Sequence, residues 1–205
     1  QATNDENLRG SYSTPMTIEG VDDALEVQTS GYATCIRRSD RRAYCFGYNY
    51  YGELGRGERA SDPLHNSGLL EVRGLGPVEE LSGGHHSMCA RKDDGRVFCW
   101  GYGSHGQLGE GQTRTLPEPV RVQNIEDAVA LSDDGKSYGM CAVRANGTVW
   151  CLGWNGYGRL GVANNANQRI PVQVINGGVP RCGDGEVTAS EACDDGNLID
   201  TDSCR

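Results

Sequence analysis

No stretch of this 205-residue chain approaches the ~18–20 consecutive apolar residues of a membrane-spanning helix. A signal-peptide pattern is also missing, and the first residue is Gln1 rather than Met, which reads as a processed or an excised chain. Helix-forming residues never gather into a periodic run, so the expectation is a turn-rich, all-β protein. Positive charge is in short supply. Nineteen Lys and Arg against 28 Asp and Glu leave a net charge of −9, which argues against nucleic-acid binding driven by phosphate contacts. Catalytic signatures are absent: there is no HExxH, no Walker loop and no Ser/His/Asp order. No CxxC cluster suits structural zinc, and no CxxCH site suits haem.

Glycine and cysteine are abundant instead. Thirty glycines are about twice the usual share, as turns and close backbone approach require. Nine cysteines, regularly spaced, read as disulfides and hence an oxidising, extracellular or cell-surface setting. Their number is odd, so one thiol is free or bonded to another chain. The acidity is local: residues 182–205 hold seven carboxylates against Arg205 alone.

The chain repeats itself. Leu54, Leu108 and Leu160 of a Gly-x-Leu-Gly signature lie 54 and 52 residues apart, and Cys35, Cys89 and Cys141 keep the same intervals. A period near 50 fits a four-stranded propeller blade. Three repeats follow, 21–72, 78–122 and 128–175, within a body spanning 21–177. An N-terminal segment, 1–20, precedes it, and a cysteine-rich acidic tail, 178–205, follows.

Each repeat carries two cysteines ten residues apart. In "CARKDDGRVFC" a three-residue loop, Asp93-Asp94-Gly95, makes Lys92 oppose Arg96, with Gly95 left-handed. Three steps further out Cys89 opposes Cys99 at a non-hydrogen-bonded site, where strands approach to ~4.5 Å and a disulfide fits. The same count pairs Cys141 with Cys151 around Asn146-Gly147. It also pairs Cys35 with Cys45 around Ser39-Asp40-Arg41, where Arg41 takes the place that suits glycine.

Residues 83–109 then show a resemblance. Gly83, Gly84, His86, Cys89, Ala90, Gly95, Val97, Trp100, Gly101, Gly106, Gln107, Leu108 and Gly109 are similar to the regulator of chromosome condensation repeat. The other repeats drift, with Phe46 and Leu152 in place of Trp100, and Tyr32 and Tyr138 near the histidine position. The resemblance covers about 155 residues. It implies all-β, four-stranded propeller blades, here three of them in an open or partial propeller, with a structural histidine that bonds between strands. The paired cysteines depart from the family's nuclear members and fit a secreted bacterial type. The run "CGDGEVTASEACDDGN" (182–197) looks like the short cysteine-rich repeat at the C-terminal ends of myxobacterial-type surface proteins. Its cysteines, Cys182, Cys193 and Cys204, are expected to form one bond and leave one thiol.

Two further sets of residues are candidate sites. Tyr48, Tyr50, Tyr51, Tyr102, Trp154 and Tyr157 all follow the second cysteine of a repeat, so equivalent positions fall on one rim. Such aromatics serve sugar or protein contacts, or pack between blades. In the tail, Asp194, Asp195, Asn197, Asp200 and Asp202 bring five oxygen ligands close together, as a weak calcium site would, or as a solvated acidic tail would. Calcium is the one cofactor that the sequence suggests.

The functional expectation is a secreted, non-enzymatic interaction module. "TPMTIEGV" (14–21) parallels the strands that end the second and third repeats, so it reads as a surplus strand able to add to another chain. Head-to-tail contact then closes a ring or grows a filament. Alternatives are a carbohydrate-binding propeller, or an inhibitor of a secreted enzyme, as in one bacterial branch of the family. Partners are copies of itself, other extracellular proteins or glycans. The family's nuclear activities, nucleotide exchange and chromatin binding, are disfavoured by compartment and charge.

Overall fold

The computed structural model describes residues 17–18, 20–60, 67–132 and 136–174. Hairpin after hairpin, the chain builds three antiparallel sheets of four strands, each in sequence order. Blade 1 comprises β1 (Ala24–Ser30), β2 (Ala33–Arg38), β3 (Ala43–Gly47) and β4 (Ser67–Glu71). Blade 2 comprises β5 (Glu80–Gly84), β6 (Ser87–Arg91), β7 (Val97–Gly101) and β8 (Leu116–Arg121). Blade 3 comprises β9 (Ala128–Leu131), β10 (Gly139–Arg144), β11 (Val149–Gly153) and β12 (Gln168–Gln173). No helix among the described residues is long and apolar enough to cross a membrane. The surplus strand expected at 14–21 falls mostly outside the described residues, as does the tail with Cys182, Cys193 and Cys204.

The cysteine spacing works as hairpin geometry predicts. Lys92 N–H donates to Arg96 O at 2.9 Å, and Gly95 stands at φ 81°. Cys89 then faces Cys99 with Cα atoms 4.0 Å apart and the sulfurs joined. Cys35–Cys45 and Cys141–Cys151 form at the same register. Arg41 does adopt the left-handed conformation, at φ 62°, and its guanidinium pairs with Glu79. Each bridge closes a short loop and contributes roughly 2–3 kcal/mol. Gly47, Gly101 and Gly153 end the third strands at φ 105°, 95° and 100°, each next to a register shift. A bulge there turns the chain away from the sheet, and a side chain would meet the carbonyl of Tyr32, His86 or Tyr138.

The core lies between the sheets. Cys35 and Cys45 of blade 1 share a buried cluster with Leu81, Met88, Ala90 and Trp100 of blade 2. Cys89, Cys99 and Val97 of blade 2 meet Ala128, Met140, Ala142 and Leu152 of blade 3. The staples of blades 1 and 2 therefore double as apolar packing against the following blade.

Polar bonds repeat across the two junctions. The hairpin-tip carbonyl of Arg41 accepts from Val78 N–H at 2.7 Å, and that of Gly95 from Ala128 N–H at 3.0 Å. Gly57 N–H donates to Pro117 O, and Gly111 N–H to Arg169 O. The innermost strands, β5 and β9, are sheet edges, and an edge N–H buried without a partner costs about 1–3 kcal/mol. A carboxylate from the preceding blade meets it. Glu26 accepts from Leu81 N–H at 3.0 Å while Arg37 holds its other oxygen at 2.9 Å. Glu80, held by Arg91 at 2.8 Å, does the same for Leu131 N–H at 3.0 Å.

Candidate functional site

At one end of the blades the residues just before β2, β6 and β10 converge with the loops after β3 and β7. Two-residue turns place Tyr32 between β1 and β2, and His86 between β5 and β6; Tyr138 stands at the same position before β10. All three residues lie three positions before a cysteine. The loops after β3 and β7 add Tyr48, Tyr50, Tyr51, Tyr102 and His105.

These residues form one continuous set of ring contacts. Tyr32 stacks on His86 with centroids 5.1 Å apart, and Tyr48 lies 5.6 Å from the same ring. Tyr51 meets His86 at 4.9 Å and Tyr102 at 4.8 Å, while Tyr50 sits edge-on to Tyr51 at 4.9 Å. On the blade 3 side, Tyr138 contacts His85 at 4.6 Å and His105 at 4.9 Å. Tyr32 is 65% exposed and Tyr50 46%, so the cluster reaches the surface. Of the six aromatics singled out from sequence, Tyr48, Tyr50, Tyr51 and Tyr102 belong to it. Trp154 and Tyr157 do not. They form a separate pair 6.1 Å apart, with the Arg159 guanidinium over the indole, and Tyr157 is 97% exposed. Tyr157 stands at φ 65° in a short 3-10 turn, Gly156–Gly158, which re-aims its ring.

Beneath the cluster lies a buried acid. Glu53 is fully enclosed; its Oε1 lies 2.9 Å from His86 Nδ1 and its Oε2 accepts from Tyr51 N–H at 2.9 Å. Its backbone carbonyl accepts from Trp100 Nε1–H at 2.8 Å. The histidine thus bonds from the β5–β6 turn to the loop after β3 of the preceding blade, whereas the family resemblance implies a bond between strands. Burial pushes the Glu53 carboxyl up to about 7 and the His86 imidazole down, so both favour their neutral forms. His85 is lowered as well, by burial and then by the neighbouring His86.

Glu53 sets a pH dependence. Its folded pKa lies above the unfolded one, so the stability of the protonated acid is lost as pH rises from about 4.5 to about 7. His86 acts oppositely, taking stability away on acidification below its ordinary value of 6.5. Blade 2 carries Gln107 where blade 1 carries Glu53. Glu53→Gln is therefore expected to raise stability at pH 8 by about 1–3 kcal/mol and to leave it nearly unchanged at pH 4. Denaturant melts at the two pH values check this; an equal shift at both would contradict it.

The site has no nucleophile beside a base, and the Glu53–His86 pair is closed off beneath rings. No three His, Cys, Asp or Glu side chains among the described residues gather as metal ligands. Asp194, Asp195, Asn197, Asp200 and Asp202 lie outside the described residues. What the arrangement offers is contact area: rigid rings with polar tips, backed by a fixed hydrogen-bonded pair.

Comparisons with known proteins agree with the bladed fold. The family model of the regulator of chromosome condensation (RCC1) repeat matches residues 94–132 and 146–186, and a second model of that repeat matches 78–107. The chain is 27% identical over 174 residues to the E3 ubiquitin-protein ligase HERC2 of Homo sapiens, covering 80% of this chain and 4% of that one. It is 28% identical over 141 residues to the ultraviolet-B receptor UVR8 of Arabidopsis thaliana, covering 69% and 32%. Yeast RCC1 (Prp20), solved bound to Kap60, superposes with a TM-score of 0.67 at 15% identity, covering 77% of this chain and 38% of that one. Human WBSCR16 gives 0.66 at 19% identity, covering 74% and 39%. The chain thus spans well under half the length of each relative.

Proposed function

Since the RCC1 repeat model matches within the second and third blades, we propose that the chain is a non-enzymatic protein-interaction module that makes its contacts through the tyrosine–histidine face. The observation that carries this reading is the continuous ring cluster at one end of the blades, with Tyr32 and Tyr50 at the surface. Tyrosine gives large contact area at low entropic cost, which is why it is enriched in interface cores. Three disulfides, two of them packed between blades, support an extracellular or cell-surface location. A Tyr32→Ser/Tyr50→Ser variant tests the reading. With photo-crosslinker placed at Tyr102, protein adducts should form on the parent and be lost from the variant. Equal adduct yields on both, or binding to a glycan array in place of protein adducts, would overturn it in favour of another surface or of the carbohydrate reading.

A second contact belongs to the same reading, the head-to-tail assembly into a ring or filament. Leu25 and Val27 of β1 are 58% and 61% exposed, although Leu81, at Val27's register position in blade 2, is 1% exposed. The outer face of blade 1 is therefore built like an inner one, and the front of another blade suits it. Sedimentation over a wide concentration range should show mass rising with concentration, and Val27→Asp should abolish the rise. A single monomeric species throughout would remove this contact from the account.

A further inference from the structure

The far face of blade 3 departs from the far faces of blades 1 and 2 at the positions that make a junction. The paired positions Glu26–Arg37 and Glu80–Arg91 are Ala130–Val143 in blade 3. No carboxylate is left there to receive the edge N–H of a following blade. Next in the same row, Ala43 is 2% exposed and Val97 is fully buried, whereas Val149 is 37% exposed. Where blade 1 has Glu53 and blade 2 has Gln107, blade 3 has Arg159. An ion pair has become an apolar row, and an acid has become a base.

The sequence that follows is altered to match. Val78 and Ala128, whose N–H groups bond the preceding hairpin tip, each come six residues after the valine that leaves a last strand, Val72 and Val122. Six residues after Val174 stands Pro180, which has no N–H to give to the tip of the β10–β11 hairpin. A regular fourth blade is thus disfavoured from both sides of the contact.

We infer that the occupant of this face is the chain's own acidic tail, residues 178–205, docked on Ala130, Val143 and Val149 with its carboxylates toward Arg159. The last described residue, Val174, follows β12 of this same blade, so three residues separate this blade from the tail. Its seven carboxylates suit the one position in the series that has changed to arginine, and Val179, Val187, Leu198 and Ile199 supply apolar side chains for the row. The inference goes beyond the interaction reading and sets terms for its second contact: head-to-tail growth from blade 3 has to displace the tail.

Arg181 is the only basic residue between 175 and 204, which makes trypsin a probe of docking in the full chain. Release of peptide 182–205 is followed by mass spectrometry. Two variants borrow residues that other blades already carry at these positions and so keep the blade folded: Ala130→Glu/Val143→Arg, and Arg159→Glu. Each is expected to speed release about tenfold or more, with the melting temperature unchanged, because cleavage follows the population of the undocked tail. Equal release rates in the parent and both variants would overturn the docking. So would protection of Arg181 that grows with protein concentration, which would assign the face to a second copy.

Discussion

Gly83→Ala is expected to separate blade 1 from blade 2. A Cβ on Gly83 would stand 2.9 Å from the carbonyl carbon of Thr29, and closer still to its oxygen. Both atoms are backbone, in the strand against which β5 packs, so no rotamer change relieves the clash. Overpacking ordinarily costs about 1–3 kcal/mol, and here the relief must come from moving two sheets apart, so about 3 kcal/mol or more is expected. For a chain of this length that lowers the melting temperature by roughly 10 °C. The shift also exposes the Leu81 amide that Glu26 covers, so hydrogen exchange at Leu81 should accelerate together with the loss of stability. Gly68→Ala is the control, since nothing lies within 4 Å of its added methyl. Equal melting temperatures for the two variants would mean that the junction is looser than described.

Trp100→Ala carries a comparable effect through a different cause. The indole is fully buried in the cluster between blades 1 and 2 and donates to the Glu53 carbonyl at 2.8 Å. Removing it leaves a cavity and an orphaned acceptor, worth about 3–5 kcal/mol together. It also loosens the loop that holds Glu53 beneath the ring cluster, so the pH dependence assigned to Glu53 should weaken. Trp100→Phe, the residue blade 1 carries as Phe46, fills most of the space and should cost less than half as much. Equilibrium unfolding in urea measures both. A loss below about 1 kcal/mol for the alanine variant would contradict the burial described.

Local features were the legible ones. The ten-residue cysteine spacing, the loop closed by Lys92 and Arg96, and the left-handed Arg41 all follow from counting along one hairpin, because a hairpin's register depends only on its loop. The junction bonds were not legible. Glu26 reaches Leu81 across 55 residues and Glu53 reaches His86 across 33, and no local rule joins such positions. A signal was nevertheless present. Glu26 and Glu80 recur one repeat apart, each opposite an arginine, and their loss at Ala130 and Val143 is visible once the repeats are laid over one another.

The aromatic site was half legible for a similar reason. Position after the second cysteine found Tyr48, Tyr50, Tyr51 and Tyr102, since equivalent loops do converge. It missed Tyr32, His86 and Tyr138, which share the position three residues before the first cysteine and come from the neighbouring turn. It also joined Trp154 and Tyr157 to the set; Tyr157 adopts φ 65°, which its counterparts Tyr51 and His105 do not, although the loop's backbone bonds repeat those of the other blades.

The two junctions depend on one premise, that each blade is a stapled hairpin and that the disulfides of blades 1 and 2 face the next blade. Peptide mapping of the unreduced protein tests it most directly. Three bridged peptides should be recovered, Cys35–Cys45, Cys89–Cys99 and Cys141–Cys151, each within a single blade. A bridge between cysteines of different blades, or free thiols at Cys89 and Cys99, would contradict the hairpin register and the junctions built on it.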